Sequence, residues 1–242
     1  MRYYKNVREA LFETERDLVE MGIDNWPKSM QNRRVEGDED YRTKELIGYS
    51  FRIHNAEISE SMGAASKFHK IPLPAIKGYC GSEIFDRVGF KAVNPGSSWT
   101  HRKEVWEQFL NSEGRFDYTY SERLTYLIRF AREVLQNDPS SRQCILQVFH
   151  PTDIQNAGGK KRIPCSMYYQ FLNRPQGFHI MYTMRSCDLY THFGIDVTLA
   201  IQMAHLLKDS LGIALKEKPV VFTMFIGSLH AYKKDYGPRG VF

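Results

Sequence analysis

A chain of 242 residues with 42% apolar and 13% aromatic side chains holds enough material for one sizeable core, so residues 1–242 are expected to form a single domain. Its 25% charged residues are ordinary for a globular protein, and its modest net charge of +5 suits an anionic small molecule as well as a polynucleotide and does not choose between them. The run of about 18 apolar residues needed to span a membrane is missing, the first twenty residues contain acids and no apolar signal core, and Cys80, Cys144, Cys165 and Cys187 form no CxxC pair. That spacing argues against a metal site and a secreted disulfide frame, so a reducing cytoplasm is the expected location.

In chain order, residues 4–22 read as an amphipathic helix with Val7, Leu11, Leu18 and Met21 on one stripe, followed by a charged loop over 31–42. Residues 44–53 read as a strand, and helical patterns follow near 82–90, 99–111 and 121–136, the last stopped by Asn137-Asp138-Pro139. Strands are expected near 143–149, 166–173 and 177–184, then a helix over 197–211 ending before Gly212 and an apolar strand over 219–226. Strands clustered in the middle with helices around them predict an α+β fold built on a mixed sheet.

Four stretches carry chemistry. In RIPCSMYYQF, Pro164 removes a backbone donor and places Cys165 at the entrance of a strand. MRSCDLYTHFGID gathers Arg185, Ser186, Asp188 and Asp196 around a glycine turn, and GSLHAY sets His230 and Tyr232 just past a buried strand, with Gly227 and Ser228 as the turn. NDPSSRQCILQVF delivers Arg142 at another strand entrance. Arginines for an anion, a thiol, paired acids and a His/Tyr pair at strand ends make a candidate nucleotide-handling site. GGKKR at 158–162 reads as a solvated hairpin loop, and direct nucleic-acid binding is not expected.

From about Leu46 to Tyr236, the order Tyr120, NDPSSR, Pro164-Cys165, RSCD and His-x-Tyr resembles the thymidylate synthases and their phage relatives, the deoxycytidylate hydroxymethylases. The resemblance implies a thymidylate synthase-like fold, a sheet-to-sheet homodimer, and transfer of a one-carbon unit from 5,10-methylenetetrahydrofolate to C5 of a pyrimidine nucleoside monophosphate. Cys165 would add to C6 as a thiolate, making C5 nucleophilic. Because an ordinary thiol needs a nearby positive charge to ionise at neutral pH, Arg185 would serve both the thiol and the substrate phosphate. Ser186 would donate to that phosphate, and Arg142 would reach it from the partner subunit. Gln143 stands where a second arginine is usual and supplies neither charge nor a bidentate fork. Arg42, chosen over Arg34, would be the N-terminal phosphate arginine. Glu83 would be the general acid/base, Tyr120 would stand near the thiol, Asp188 would hold the pterin, Trp106 would lie against the folate, and His230 and Tyr232 would hold the sugar hydroxyl.

The base is read from Asp196. The synthases carry asparagine eight residues after the aspartate of RSxD, whereas Asp188 plus eight is Asp196 here, as in the hydroxymethylases. A carboxylate accepts from the cytosine amine, which points to dCMP; a helix N-cap before VTLAIQMAHLL is the structural alternative. Met184, Ser166 and the polar Arg162 depart from the synthases in the same direction, which favours hydroxymethyl over methyl as the product. A dCMP 5-methyltransferase, a thymidylate synthase and a non-catalytic nucleotide- or RNA-binding protein on this fold stay open as alternatives. The chain stops at Phe242 soon after His-x-Tyr, so a shortened C-terminal tail over the folate is expected.

Overall fold

The computed structural model describes residues 1–89, 91–212 and 217–236. The N-terminal part runs β1 (Arg2–Tyr4), α1 (Val7–Met21), β2 (Ile23–Asn25), a two-stranded ribbon of β3 (Ser29–Met30) and β4 (Arg33–Arg34), and the long β5 (Thr43–Ile53). Next come α2 (Ile58–His69), α3 (Leu73–Val88), a 3₁₀ turn over Ser97–Arg102, α4 (Lys103–Trp106), α5 (Tyr120–Leu124) and α6 (Leu127–Asn137). The remainder is β6 (Ile145–Gln147), β7 (Ser166–Arg174), β8 (Gly177–Asp188), α7 (Gly194–Ser210), β9 (Val220–Tyr232) and α8 (Lys233–Tyr236).

The main sheet has the order β1-β5-β9-β8-β7-β6, with β2 paired to β5. β6–β7, β7–β8 and β5–β9 run antiparallel, whereas β8–β9 and β1–β5 run parallel, so the sheet is mixed as expected. Alternation along the strands sends Phe51, Ile53, Tyr169, Phe171, Phe178, Ile180, Tyr182, Phe222 and Met224 to one buried face. Against that face lies α7, apolar nearly all round and accordingly buried on almost every side. α1 and α2 complete the layer with Val7, Leu11, Leu18, Ala65 and Phe68.

Several elements differ from the sequence reading. α2 escaped detection because GAAS dilutes its apolar stripe, and α3 starts nine residues ahead of the helix expected near 82–90, with Pro72 at its N-cap. The helix expected over 121–136 is two, broken at Tyr126, whose φ of 65° is left-handed and whose carbonyl starts α6. The turn assigned to Gly227 and Ser228 is continuous strand: β9 runs on through His230 and Tyr232. Gly227 is needed for close approach, since a Cβ there would lie 2.8 Å from the Arg185 carbonyl oxygen. Likewise RSCD is the end of β8, and Gly194 opens a helix and makes no turn. The end of the expected C-terminal tail, residues 237–242, lies outside the described residues.

Candidate active site

At the end of the sheet where β7 begins and β8 and β9 finish, α3, α4, α5 and the β3–β4 ribbon enclose a cavity of about 500 Å³. Glu83, Trp106, Tyr120, Cys165, Arg185, Ser186, Asp188, Asp196, His230 and Tyr232 all line it. Register explains much of this convergence. Parallel pairing of β8 with β9 sets Ser186 opposite Ser228 and Asp188 opposite His230, while antiparallel pairing brings Ser166 opposite Met184. The β7–β8 ladder is irregular between Ser166 and Tyr168, and that bulge lies immediately after Cys165.

Cys165 is the half-exposed thiol of the four; Cys80, Cys144 and Cys187 are buried. Burial pushes the Cys80 and Cys144 thiols up to about 12 and Cys187 well above the usual range, which leaves all three unreactive. Arg185 is locked against Cys165: its Nε donates to the Pro164 carbonyl at 2.9 Å, and its Nη2 reaches the Ile163 carbonyl at 3.2 Å and the Cys165 Sγ at 3.7 Å. From the other side Gln31 Nε2 donates to the same sulfur at 3.6 Å, and the Ile163 amide donates to Gln31 Oε1 at 3.4 Å. Gln31 sits at the tip of the β3–β4 ribbon with a φ of 56°. It lies 134 positions from Cys165, and no local pattern marks it as a partner of the thiol.

Behind the thiol, the Ser166 amide and hydroxyl donate to Tyr120 Oη at 3.2 and 2.9 Å, and Ser166 Oγ also bonds Tyr182. Burial, reinforced by Tyr118 and Cys165, holds the Tyr120 phenol well above its ordinary pKa, so it stays protonated. Glu83 is clamped by Arg87 one helical turn on, Nε to Oε1 at 2.8 Å, and accepts a second bond from Ser98 Oγ. Arg87 is buried, donates to Tyr169 Oη at 3.1 Å and lies 4.6 Å above the Tyr120 ring. The sequence reading missed Arg87; its i, i+4 spacing from Glu83 was the available signal.

Asp196 is not an N-cap. α7 begins at Gly194, which puts Asp196 at the third helical position, and among the described residues it has no hydrogen-bond partner. Burial pushes its carboxyl up to about 7; Arg87 opposes that rise and Glu83 adds to it. Asp188 caps the wide helical turn Leu189–Phe193 that leads into α7, its Oδ1 accepting from the Tyr190 and Thr191 amides at 3.1 Å each, while α7 itself has Phe193 at its N-cap and no side-chain cap. Trp106 stacks on His192 at 4.9 Å, and His230 meets Tyr232 edge-on at 5.1 Å.

Two predicted residues lie outside the cavity wall. Arg42 donates to Asp24 at 2.6 Å and covers the Trp26 ring at 4.8 Å. Arg142 is exposed three residues before β6, and its carbonyl accepts from Gln170 Nε2 at 2.9 Å. Among the described residues, no three His, Cys, Asp or Glu side chains cluster as a metal site requires. No helix among them is long and apolar enough to cross a membrane.

The architecture is that of a thymidylate synthase-like α+β protein. A similar solved structure is thermostable thymidylate synthase A from Bacillus subtilis, matched at a TM-score of 0.63 and 15% identity over 95% of this chain and 80% of that one. The family model described as thymidylate synthase matches residues 96–238, more than half of the sequence. The chain belongs to the thymidylate synthase family.

Proposed function

We propose that residues 1–242 act as one catalytic domain that transfers a one-carbon unit from 5,10-methylenetetrahydrofolate to C5 of dCMP, giving 5-hydroxymethyl-dCMP. The observation that carries this reading is the Arg185 guanidinium 3.7 Å from the Cys165 sulfur at the mouth of a cavity lined by acids. That contact holds a cation beside the sulfur that adds to C6. Arg185 and Ser186 hold the phosphate, His230 and Tyr232 the sugar, and Glu83 moves protons near C5 and the exocyclic carbon. Trp106 and Asp188 flank the folate, which supplies the carbon when bound.

Asp196 faces the base. With no hydrogen-bond partner among the described residues, it is free to accept from the cytosine N4 amine, and in its ionised form, which prevails above about pH 7, it repels uracil O4. Leaving a buried charge against an acceptor costs about 1–3 kcal/mol, roughly tenfold to a few hundredfold in specificity.

The functional unit in this reading is a cytoplasmic homodimer, in a host cell if the protein is phage-encoded. The sheet face opposite the helices leaves Tyr168, Gln170, Leu172 and Met181 incompletely covered, and Arg142 projects at that edge rather than into its own cavity. Pairing of two such faces would let Arg142 serve the partner's phosphate. Arg42 would need to release Asp24 to reach a phosphate.

The test is incubation with methylenetetrahydrofolate and dCMP, CMP or dUMP, with products weighed by mass spectrometry, in wild type and Asp196→Asn. Hydroxymethyl-dCMP from wild type and a shift toward dUMP in the variant are expected. Equal use of dUMP and dCMP by wild type, with no shift on substitution, would return the reading to thymidylate synthase. Methyl-dCMP would select the methyltransferase, and binding without turnover a non-catalytic protein.

A further inference from the structure

Two side chains donate to the Cys165 sulfur. Arg185 does so from β8, and Gln31 Nε2, at 3.6 Å, from the tip of the β3–β4 ribbon. The direction of the Gln31 amide is fixed by its other end: Oε1 accepts from the Ile163 amide at 3.4 Å, and exchanging O for N would face that N–H with a second donor. The ribbon is seated on the cavity by more than this side chain. Ser29, Met30 and Gln31 all line the wall, Arg33 lies 5.8 Å from the Phe109 ring centre, and a Cβ on Gly159 would lie only 3.2 Å from Ser29 Cβ. At the tip, Gln31 takes a φ of 56°, the left-handed region that glycine and asparagine occupy with least strain. A turn by itself would favour either of those residues. The contact with the sulfur is what glutamine adds.

We propose that Gln31 is a catalytic residue, the neutral donor opposite Arg185 that bears on the sulfur's charge when Cys165 adds to C6 and again when it leaves. The inference rests on the one-carbon reading above, from which it takes the adduct at C6. On addition, a sulfur pair forms the S–C6 bond and the C5–C6 π pair shifts into the ring. On release, a water lone pair bonds the exocyclic carbon, and the exocyclic double-bond pair re-forms C5=C6. The C6–S pair then returns to sulfur, and the water proton passes to solvent. The sulfur is anionic before the first step and after the last, and a neutral thioether in between. An N–H aimed at it acts at both ends of the cycle, where a hydrogen bond to a charged acceptor contributes about tenfold to a hundredfold. Arg185 is shared with the substrate phosphate in that reading, whereas Gln31 has no second anion to serve. The other titratable groups around the sulfur do not change charge with it. Burial pushes the Tyr118 phenol up to about 12 and raises Tyr120, Tyr232 and Cys187 above their ordinary values, so all four stay neutral near about pH 7.

The experiment compares wild type, Gln31→Met and Gln31→Glu. Methionine keeps the length and loses the donor; glutamate keeps the length and the acceptor for the Ile163 amide but turns a carboxylate oxygen to the sulfur. Alkylation of Cys165 by iodoacetamide in the unliganded proteins, followed by mass spectrometry of its peptide across a pH series, reads the thiol without any substrate. Near about pH 7 the rate is expected to fall roughly tenfold in Gln31→Met and further in Gln31→Glu, whose profile moves to higher pH. The kcat with dCMP and methylenetetrahydrofolate should fall in the same order, while the dCMP Kd by equilibrium dialysis stays within about threefold of wild type. A role in holding the ribbon alone predicts the reverse order, because glutamate keeps the Ile163 bond. Gln31→Glu alkylated as fast as Gln31→Met or faster, or both variants matching wild type, overturns the inference and leaves the one-carbon reading intact. So does a weakened dCMP Kd with unchanged alkylation, which makes Gln31 a substrate contact. If the alkylation order holds but wild type converts none of dCMP, CMP and dUMP, the one-carbon reading fails and Gln31 remains the second donor to the thiol.

Discussion

Replacing Asp196 with asparagine removes one titratable proton from the cavity while keeping the size of the side chain. In the folded protein the carboxyl is pushed by burial from 3.8 to about 7. At about 1.4 kcal/mol per tenfold change in proton affinity, that corresponds to about 4 kcal/mol between the fully protonated and fully ionised limits. The native state holds this proton more firmly than the unfolded chain. Between about pH 4 and about pH 7 folding therefore takes up a proton, and stability falls as pH rises through that window, with the full cost present above it. Water entering the cavity screens part of the charge, so roughly 1–3 kcal/mol of the effect is expected between about pH 5 and about pH 8. Urea unfolding of wild type and Asp196→Asn at those two pH values isolates the contribution, because every other titrating group is common to both. The stability advantage of the variant should grow by that amount toward high pH. A difference that stays flat with pH, or a variant that loses ground at about pH 8, would refute the burial argument.

Three further outcomes follow from the geometry. Cys165→Ser should abolish turnover and the release of tritium from C5 while leaving dCMP binding largely intact; exchange at the wild-type rate would make the thiol structural. Arg142→Ala should raise the dCMP KM, and mixing it with Cys165→Ser should restore activity, because one site of the mixed dimer keeps its own thiol and receives an intact arginine. Mixing that restores nothing would remove Arg142 from the partner's site. Gly227→Ala should destabilise the fold by about 1–3 kcal/mol, because the new Cβ would meet the Arg185 carbonyl oxygen at 2.8 Å and force β9 from β8. A wild-type urea midpoint would show that the strands yield freely.

The α+β class, the mixed sheet and most strand positions were legible in the sequence because alternation and helical stripes are local signals. β5, β7, β8 and α7 fall within a few residues of expectation, apart from four further residues at the end of β8. Ordered short motifs such as Pro164-Cys165 and RSCD identified the candidate cavity as well, and ten of the predicted side chains line it. What local pattern left undecided were the partners that arrive from elsewhere. Gln31 reaches the thiol from a ribbon far away in sequence, and Arg87 faces Glu83 from a helix whose first half went unread. Continuous strand at Gly227 depends on the backbone of β8 lying against it, a contact with no trace in GSLHAY itself. The sequence determined which chemical groups the chain carries and where most of its central strands and the long helix α7 run. Tertiary structure alone decided that Asp196 is half-buried in the cavity wall without a hydrogen-bond partner among the described residues, and that Arg42 and Arg142 stand outside that wall. Burial and charge compensation depend on neighbours brought together by folding, and residue type does not encode them.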